Sequence, residues 1–259
     1  MIEETSMNRT MMYLALLLGT LGFAFSSQAH ATTQCAYNFT SGKGNTFLHY
    51  CVTVNGNIVQ LETPSGVSMI GVDGEGYGIC NESPAVSYTD YGVSDTANWN
   101  SPVLLSKTGA QVKIARTTSD GHWTLTQTIK KIAKTATVTV VMDLTNNQSS
   151  DHKAYLVRFA EGTPAGEVAG DLATVSGTLA WEDSSLQGAY GLLLQNQGNS
   201  EFEFMQAYAQ TVKTGPNSCA FAFNAAPGGN SFAGSLEIAY AGIVPAGQTK
   251  TVTLTYRGM

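Results

Sequence analysis

Apolar and polar residues alternate with a period of two through most of residues 110–160. Val112 and Ile114 alternate with polar neighbours, and Trp123, Leu125 and Ile129 resume the rhythm. Val138, Val140, Met142 and Leu144 then share one face, with Thr137, Thr139 and Asp143 on the other. A period of two over this length predicts strands with one buried face, and Asp120-Gly121 between two such runs predicts a hairpin. Upstream, residues 34–40, 46–54, 57–62 and 67–72 read as a meander of short strands joined by SGKGN, Asn55-Gly56 and Pro64-Ser65-Gly66. Downstream, residues 174–183, 189–196, 201–212, 219–223, 235–240 and 249–256 resume strand character, with a loop at 162–170 and a turn at 225–230. Residues 206–210 also fit a helix, but the alternation of Phe202 and Phe204 favours strand. About fifteen short strands with turn signals between them predict an all-β chain. The expected fold is a large antiparallel β-sandwich, or its extended supersandwich form, with little or no helix. No linker composition divides it, so one domain over 32–259 is expected.

Residues 73–101, DGEGYGICNESPAVSYTDYGVSDTANWNS, break the rhythm. Rich in Gly, Asp, Asn and Ser, they read as a long ordered loop with two short strands, around Tyr77–Cys80 and Val86–Tyr88. Tyr77, Tyr91 and Trp99 in this loop are the candidate ligand-binding residues. Aromatic rings beside Asn and Tyr can stack on a sugar ring and hydrogen-bond its hydroxyls. The competing reading is a loop pinned to the sandwich by its own aromatics.

Residues 1–31 stand outside the fold pattern. Arg9, the apolar run from Met11 through Leu21 and Phe25, and the small-x-small motif Ala29-His30-Ala31 predict a cleaved signal peptide. Cleavage removes one of 13 Lys and Arg and two of 19 Asp and Glu, so the net charge moves from −6 to −5. A mildly acidic chain with no basic cluster excludes nucleic acid as a partner, and no segment beyond the leader is apolar enough to insert in a membrane. The expected location is periplasmic or secreted. Cys35, Cys51, Cys80 and Cys219 all lie in the exported part and read as two disulfides. Cys35 and Cys51 stand symmetrically about Lys43 in a hairpin, while Cys51–Cys80 with Cys35–Cys219 is equally open.

Chemistry-bearing motifs are sparse. GEGYG at 74–78 lacks the following helix that a phosphate cradle needs, and reads as a tight turn entering a strand. Asp73 and Glu75, with Asp90 and Asp95 nearby, offer oxygens for a calcium ion but lack the ligand series of an EF-hand. Glu182 and Asp183 are adjacent on a strand, so they point to opposite faces and cannot flank one bond. Of the three histidines of the mature chain, His49, His122 and His152, either His122 or His49 could serve acid/base chemistry with a carboxylate such as Glu161 or Glu75, but no spacing pairs them. Neither G-x-S-x-G nor H-E-x-x-H occurs, and no cofactor motif is present, so the chain leans away from catalysis.

The segments CVTVNGNIVQLETPSGV (51–67), EGYGIC (75–80), RTTSDGHWTLTQTI (116–129) and PAGQTKTVTLTYR (245–257) together resemble a family of exported bacterial β proteins with no established activity. The resemblance implies linkage of Cys51 with Cys80. More distantly, NGNIVQLETPSG and the rhythm WTLTQTI…VTVVMDLTNN are similar to the β-supersandwich of aldose epimerases and glycosidase accessory domains. The epimerase family's catalytic histidine motifs have no match. The expectation is an exported, non-catalytic β-sandwich protein binding carbohydrate through the aromatic loop. The alternatives are a sugar-active enzyme of supersandwich type, epimerase- or lyase-like, and a structural envelope protein without a small ligand.

Overall fold

The computed structural model describes residues 35–93, 98–162, 172–176, 179–183, 190–198, 200–210, 218–219, 231–232 and 235–259. The leader at 1–31, the loop at 163–170, the strand expected after Cys219, the turn at 225–230 and Asp95 lie outside the described residues. So do the side chains of Asp73, Glu182 and Asp183.

The strands are β1 (Tyr37–Ser41), β2 (Leu48–Val52), β3 (Ile58–Glu62), β4 (Ile70–Asn81), β5 (Val86–Tyr91), β6 (Val103–Lys107), β7 (Gln111–Thr117), β8 (Trp123–Lys131) and β9 (Thr137–Asn146). They continue as β10 (His152–Gly162), β11 (Leu172–Ser176), β12 (Leu179–Asp183), β13 (Gly191–Asn196), β14 (Phe204–Gln210), β15 (Ser231–Phe232), β16 (Ser235–Val244) and β17 (Thr249–Gly258). Among the described residues the only helical element is a single turn at Gly44–Thr46, and no helix is long and apolar enough to cross a membrane. The all-β sandwich is thus present. It comprises three sheets: β1-β2-β3; β14-β16-β10-β4-β5; and β15-β11-β12-β13-β17-β9-β8-β7-β6.

The alternation read in the sequence becomes the packing of these sheets. β8 and β9 turn Trp123, Leu125, Ile129, Val138, Val140, Met142 and Leu144 into one core, all at most 1% exposed. From the five-stranded sheet, Tyr77, Ile79, Leu156, Leu236, Ile238 and Tyr240 join the same core. Because β-strand side chains alternate, the odd-numbered residues of β10 and β16 must face the other way. They do: Val157 and Ala239 form a second cluster with Tyr208.

The structure departs from the sequence expectation at β6, which was not expected, at 174–183, which is two strands rather than one, and at three places that bear on the site. Residues 73–81 belong to the twelve-residue strand β4, which pairs with β5, so much of the expected loop is a hairpin. GEGYG lies within that strand and makes no turn; Gly76 pairs with Tyr91 and Gly78 with Thr89. A Cβ at Gly76 would stand 2.3 Å from the Asp90 carbonyl oxygen, so the glycine marks close backbone approach. The disulfides join Cys35 to Cys51 and Cys80 to Cys219, overturning the expected Cys51–Cys80 link. Cys51 pairs across β1-β2 with Asn38 and faces the chain just before β1, whereas Cys80 sits in a different sheet.

Candidate functional site

The residues singled out for ligand binding divide between the two faces of the five-stranded sheet. Tyr77 faces inward at 0% exposed, and Trp99 is 5% exposed, bridging to Thr118 at the edge of the core. Their rings meet edge-on at 5.4 Å, and the Arg116 guanidinium lies 5.6 Å from the Trp99 ring centroid. Tyr77 and Trp99 therefore pin the segment to the sandwich. Tyr91, half-buried, occupies the opposite face of β5.

Around Tyr77 lies a buried polar centre that sequence reading did not assemble. The Glu75 carboxylate accepts from Arg158 Nε at 2.5 Å, from the Tyr256 hydroxyl at 2.7 Å and from the Ile58 amide at 2.5 Å. Arg158 also donates to Gln127 and, at 3.2 Å, to the Gly56 carbonyl. Beside it, Asp90 pairs with Arg116 and accepts from Asn57 Nδ2 and Asn55 Nδ2. The Tyr77 hydroxyl donates to the Asn55 carbonyl at 2.9 Å. Burial pushes the Glu75 carboxyl up, and Arg158, Tyr256 and the Ile58 amide oppose that. The β2–β3 turn, Asn55-Gly56-Asn57, closes this centre; Gly56 takes the positive φ of 93° that an Asn-Gly turn requires. Glu75 and Asp90, considered for calcium, are thus held by guanidinium and amide donors. Such saturation suits a structural role, since an isolated buried charge is costly.

The histidines stand apart from these carboxylates. His49 pairs with Glu62 and Asn38 on the three-stranded sheet, His122 with Asp120 in the β7–β8 turn, and His152 with Ser150. None of these contacts joins a histidine to Glu75.

The outer face of the five-stranded sheet carries accessible chemistry. Register aligns Phe204, Ala241, Tyr155, Cys80 and Ser87 in one row across the strands. The next row is Gln206, Ala239, Val157, Gly78 and Thr89, and the third is Tyr208, Glu237, Phe159, Gly76 and Tyr91. Phe204 is 63% exposed, and Ile243, next to its row on β16, is 52% exposed. Phe204 and Tyr155 flank Ala241 from strands about 9–10 Å apart. The Tyr155 hydroxyl donates to Glu82 at 2.9 Å, and Lys153 donates to the same carboxylate at 2.8 Å. Those contacts hold Glu82 below the usual carboxylate range and Lys153 above the usual ammonium range. At the far side, Cys80–Cys219 staples Ser218 over Gly78, where the Ser218 hydroxyl meets Ser87 Oγ at 2.8 Å. In the third row, burial raises the Glu237 carboxyl well above its ordinary value, and burial together with Glu237 pushes Tyr208 up to about 12. The alternation of Phe202 and Phe204 signalled a strand, but only the register across four other strands reveals this face.

The fold and these faces define an all-β sandwich whose likenesses are to carbohydrate-related structures. It is similar to a bacterial glucoamylase complexed with acarbose, with a TM-score of 0.58 and 10% identity over 85% of this chain and 31% of that one. The chain thus spans under a third of that protein's length. Weaker likenesses reach a galactose mutarotase related enzyme from Lactobacillus acidophilus (TM-score 0.48, 5% identity, 86% and 97% covered) and a polysaccharide lyase (TM-score 0.47, 12% identity, 84% and 33% covered). At such identity the likeness is one of fold. No family model and no curated protein matches the sequence.

Proposed function

We propose that this is an exported, non-catalytic β-sandwich protein that binds carbohydrate on the outer face of its five-stranded sheet. The observation that carries the reading is the exposed Phe204 ring across Ala241 from Tyr155, beside the paired Glu82 and Lys153. A ring on either side of a small residue offers apolar walls to a sugar, and the charged pair offers both acceptor and donor to its hydroxyls. Tyr91 extends the same face at its β5 edge, whereas Tyr77 and Trp99 brace the segment from behind. Export is supported by the apolar leader and by two disulfides that suit an oxidising compartment.

A panel of soluble polysaccharides examined by affinity electrophoresis tests the proposal. At least one should retard the protein, and Phe204→Ala and Tyr155→Ala should each weaken that retardation about tenfold, the loss of one stacking anchor. Retardation by none of the panel, or retardation of both variants as strong as that of the wild type, would sink it.

Glu237 favours a second reading, a sugar-active enzyme. Its raised carboxyl is of the kind a general acid needs, and Glu161 lies one step along the same face, opposite Ser235. Diagonal neighbours on adjacent strands stand about 7–8 Å apart, within the range of paired glycosidase carboxylates. Following the same panel by NMR separates the readings: new anomeric or unsaturated-sugar signals over hours would establish turnover, and their absence alongside binding supports the non-catalytic one.

A further inference from the structure

A cavity lies away from that face, where the end of β17 meets the turn after β3. It holds about 340 Å³ and is lined by Asn45, Thr63, Pro64, Ala136, Tyr190, Arg257, Gly258 and Met259. Its polar side chains have a marked asymmetry. Arg257 is exposed, and among the described residues its guanidinium makes no hydrogen bond or ion pair. Asn45 and Tyr190 likewise leave their amide and hydroxyl without partners there. No Asp or Glu lines the cavity, although acidic residues outnumber basic ones in the chain, 19 to 13. Tyr190 packs half-buried against the core and, with Pro64 and Met259, supplies the apolar wall. The cavity's shape depends on Gly258, where a Cβ would come within 2.2 Å of Thr63 Cγ2.

We propose that this cavity binds a small ring-shaped ligand bearing a carboxylate, as in a uronic acid. A planar guanidinium with no Asp or Glu side chain beside it in the cavity matches a ligand carboxylate through two parallel hydrogen bonds. The apolar wall receives the ring, and the Asn45 amide and Tyr190 hydroxyl are placed to meet ring hydroxyls. The volume is at the small end of ligand pockets, which suits one sugar ring and excludes a long chain.

The site is independent of the Phe204 face, and the experiment keeps the two apart. The full exported protein, without a carboxy-terminal tag because Met259 lines the cavity, is titrated with glucuronate, glucose and inorganic phosphate while backbone amide NMR shifts are followed. Glucuronate should shift Thr63, Ala136 and Gly258 at millimolar concentration, with glucose and phosphate at least tenfold weaker. Arg257→Gln should weaken glucuronate at least tenfold, and Arg257→Lys, which keeps the charge but loses the fork, should weaken it several-fold. Phe204→Ala should leave the titration unchanged. Equal binding of glucose, equal binding of phosphate, an unaltered Arg257→Gln variant, or no shifts at 10-fold higher concentration would each overturn the assignment.

Discussion

Glu75 and Glu237 occupy the same sheet, are almost wholly shielded from water, and reach different ends through their surroundings. Glu75 meets a guanidinium, a phenol and an amide, so its charge is compensated where it lies. Burial raises both carboxyls; the partners of Glu75 oppose the rise, and Glu237 is carried well above the usual range. That displacement has a signed consequence for stability. Above about pH 4.3 the unfolded chain releases this proton, while the folded protein retains it up to its raised value. The folded state then binds more protons, and the contribution of Glu237 to stability declines as pH rises through that window. Glu237→Gln removes the titrating group. The variant's urea midpoint should gain on wild type as pH rises above about 4.3; a difference that does not change with pH would contradict the shift.

At the scale of elements, regular alternation was readable and close approach was not. The runs at Val112–Ile114, Trp123–Ile129 and Val138–Leu144 gave β7, β8 and β9 directly, because each buries one face against a single partner layer. β4 was missed as a continuous strand because Gly74, Gly76 and Gly78 carry no side chain to mark a period. In the structure Gly76 is there because Asp90 and Tyr91 leave no room for a Cβ. β6 was missed because Val103, Leu104 and Leu105 are all about half-exposed on an edge, so no buried face patterns them. The candidate site was less legible still, since Phe204 and Tyr155 come from two strands and Glu82 from the turn after β4, far apart in sequence. Gly76→Ala should lower stability by about 2 kcal/mol through overpacking against β5. Gly66→Ala should not suffer that crowding, because nothing lies within 4 Å of its Cβ position. Chemical denaturation of the two variants compares them, with the Gly66 variant paying only for its positive φ.

Across the whole molecule, the two disulfides close very different lengths of chain. Cys35–Cys51 spans 16 residues and Cys80–Cys219 spans 139. In the chain-entropy account the longer loop restrains the unfolded state more, about 5 kcal/mol against about 3. Replacing Cys80 and Cys219 together with Ser should therefore lower the unfolding free energy more than replacing Cys35 and Cys51; the reverse order in thermal or denaturant melts would refute that account here. The turn Asn55-Gly56-Asn57 has a consequence of another kind. It is made early in synthesis, yet it rests on Arg158, and Glu75 beside it rests on Tyr256, 181 residues further along. The amino-terminal sheet therefore has no settled seat until the final strand arrives. The centre is closed by partners far apart along the chain, so its assembly belongs to the slow, non-local part of folding.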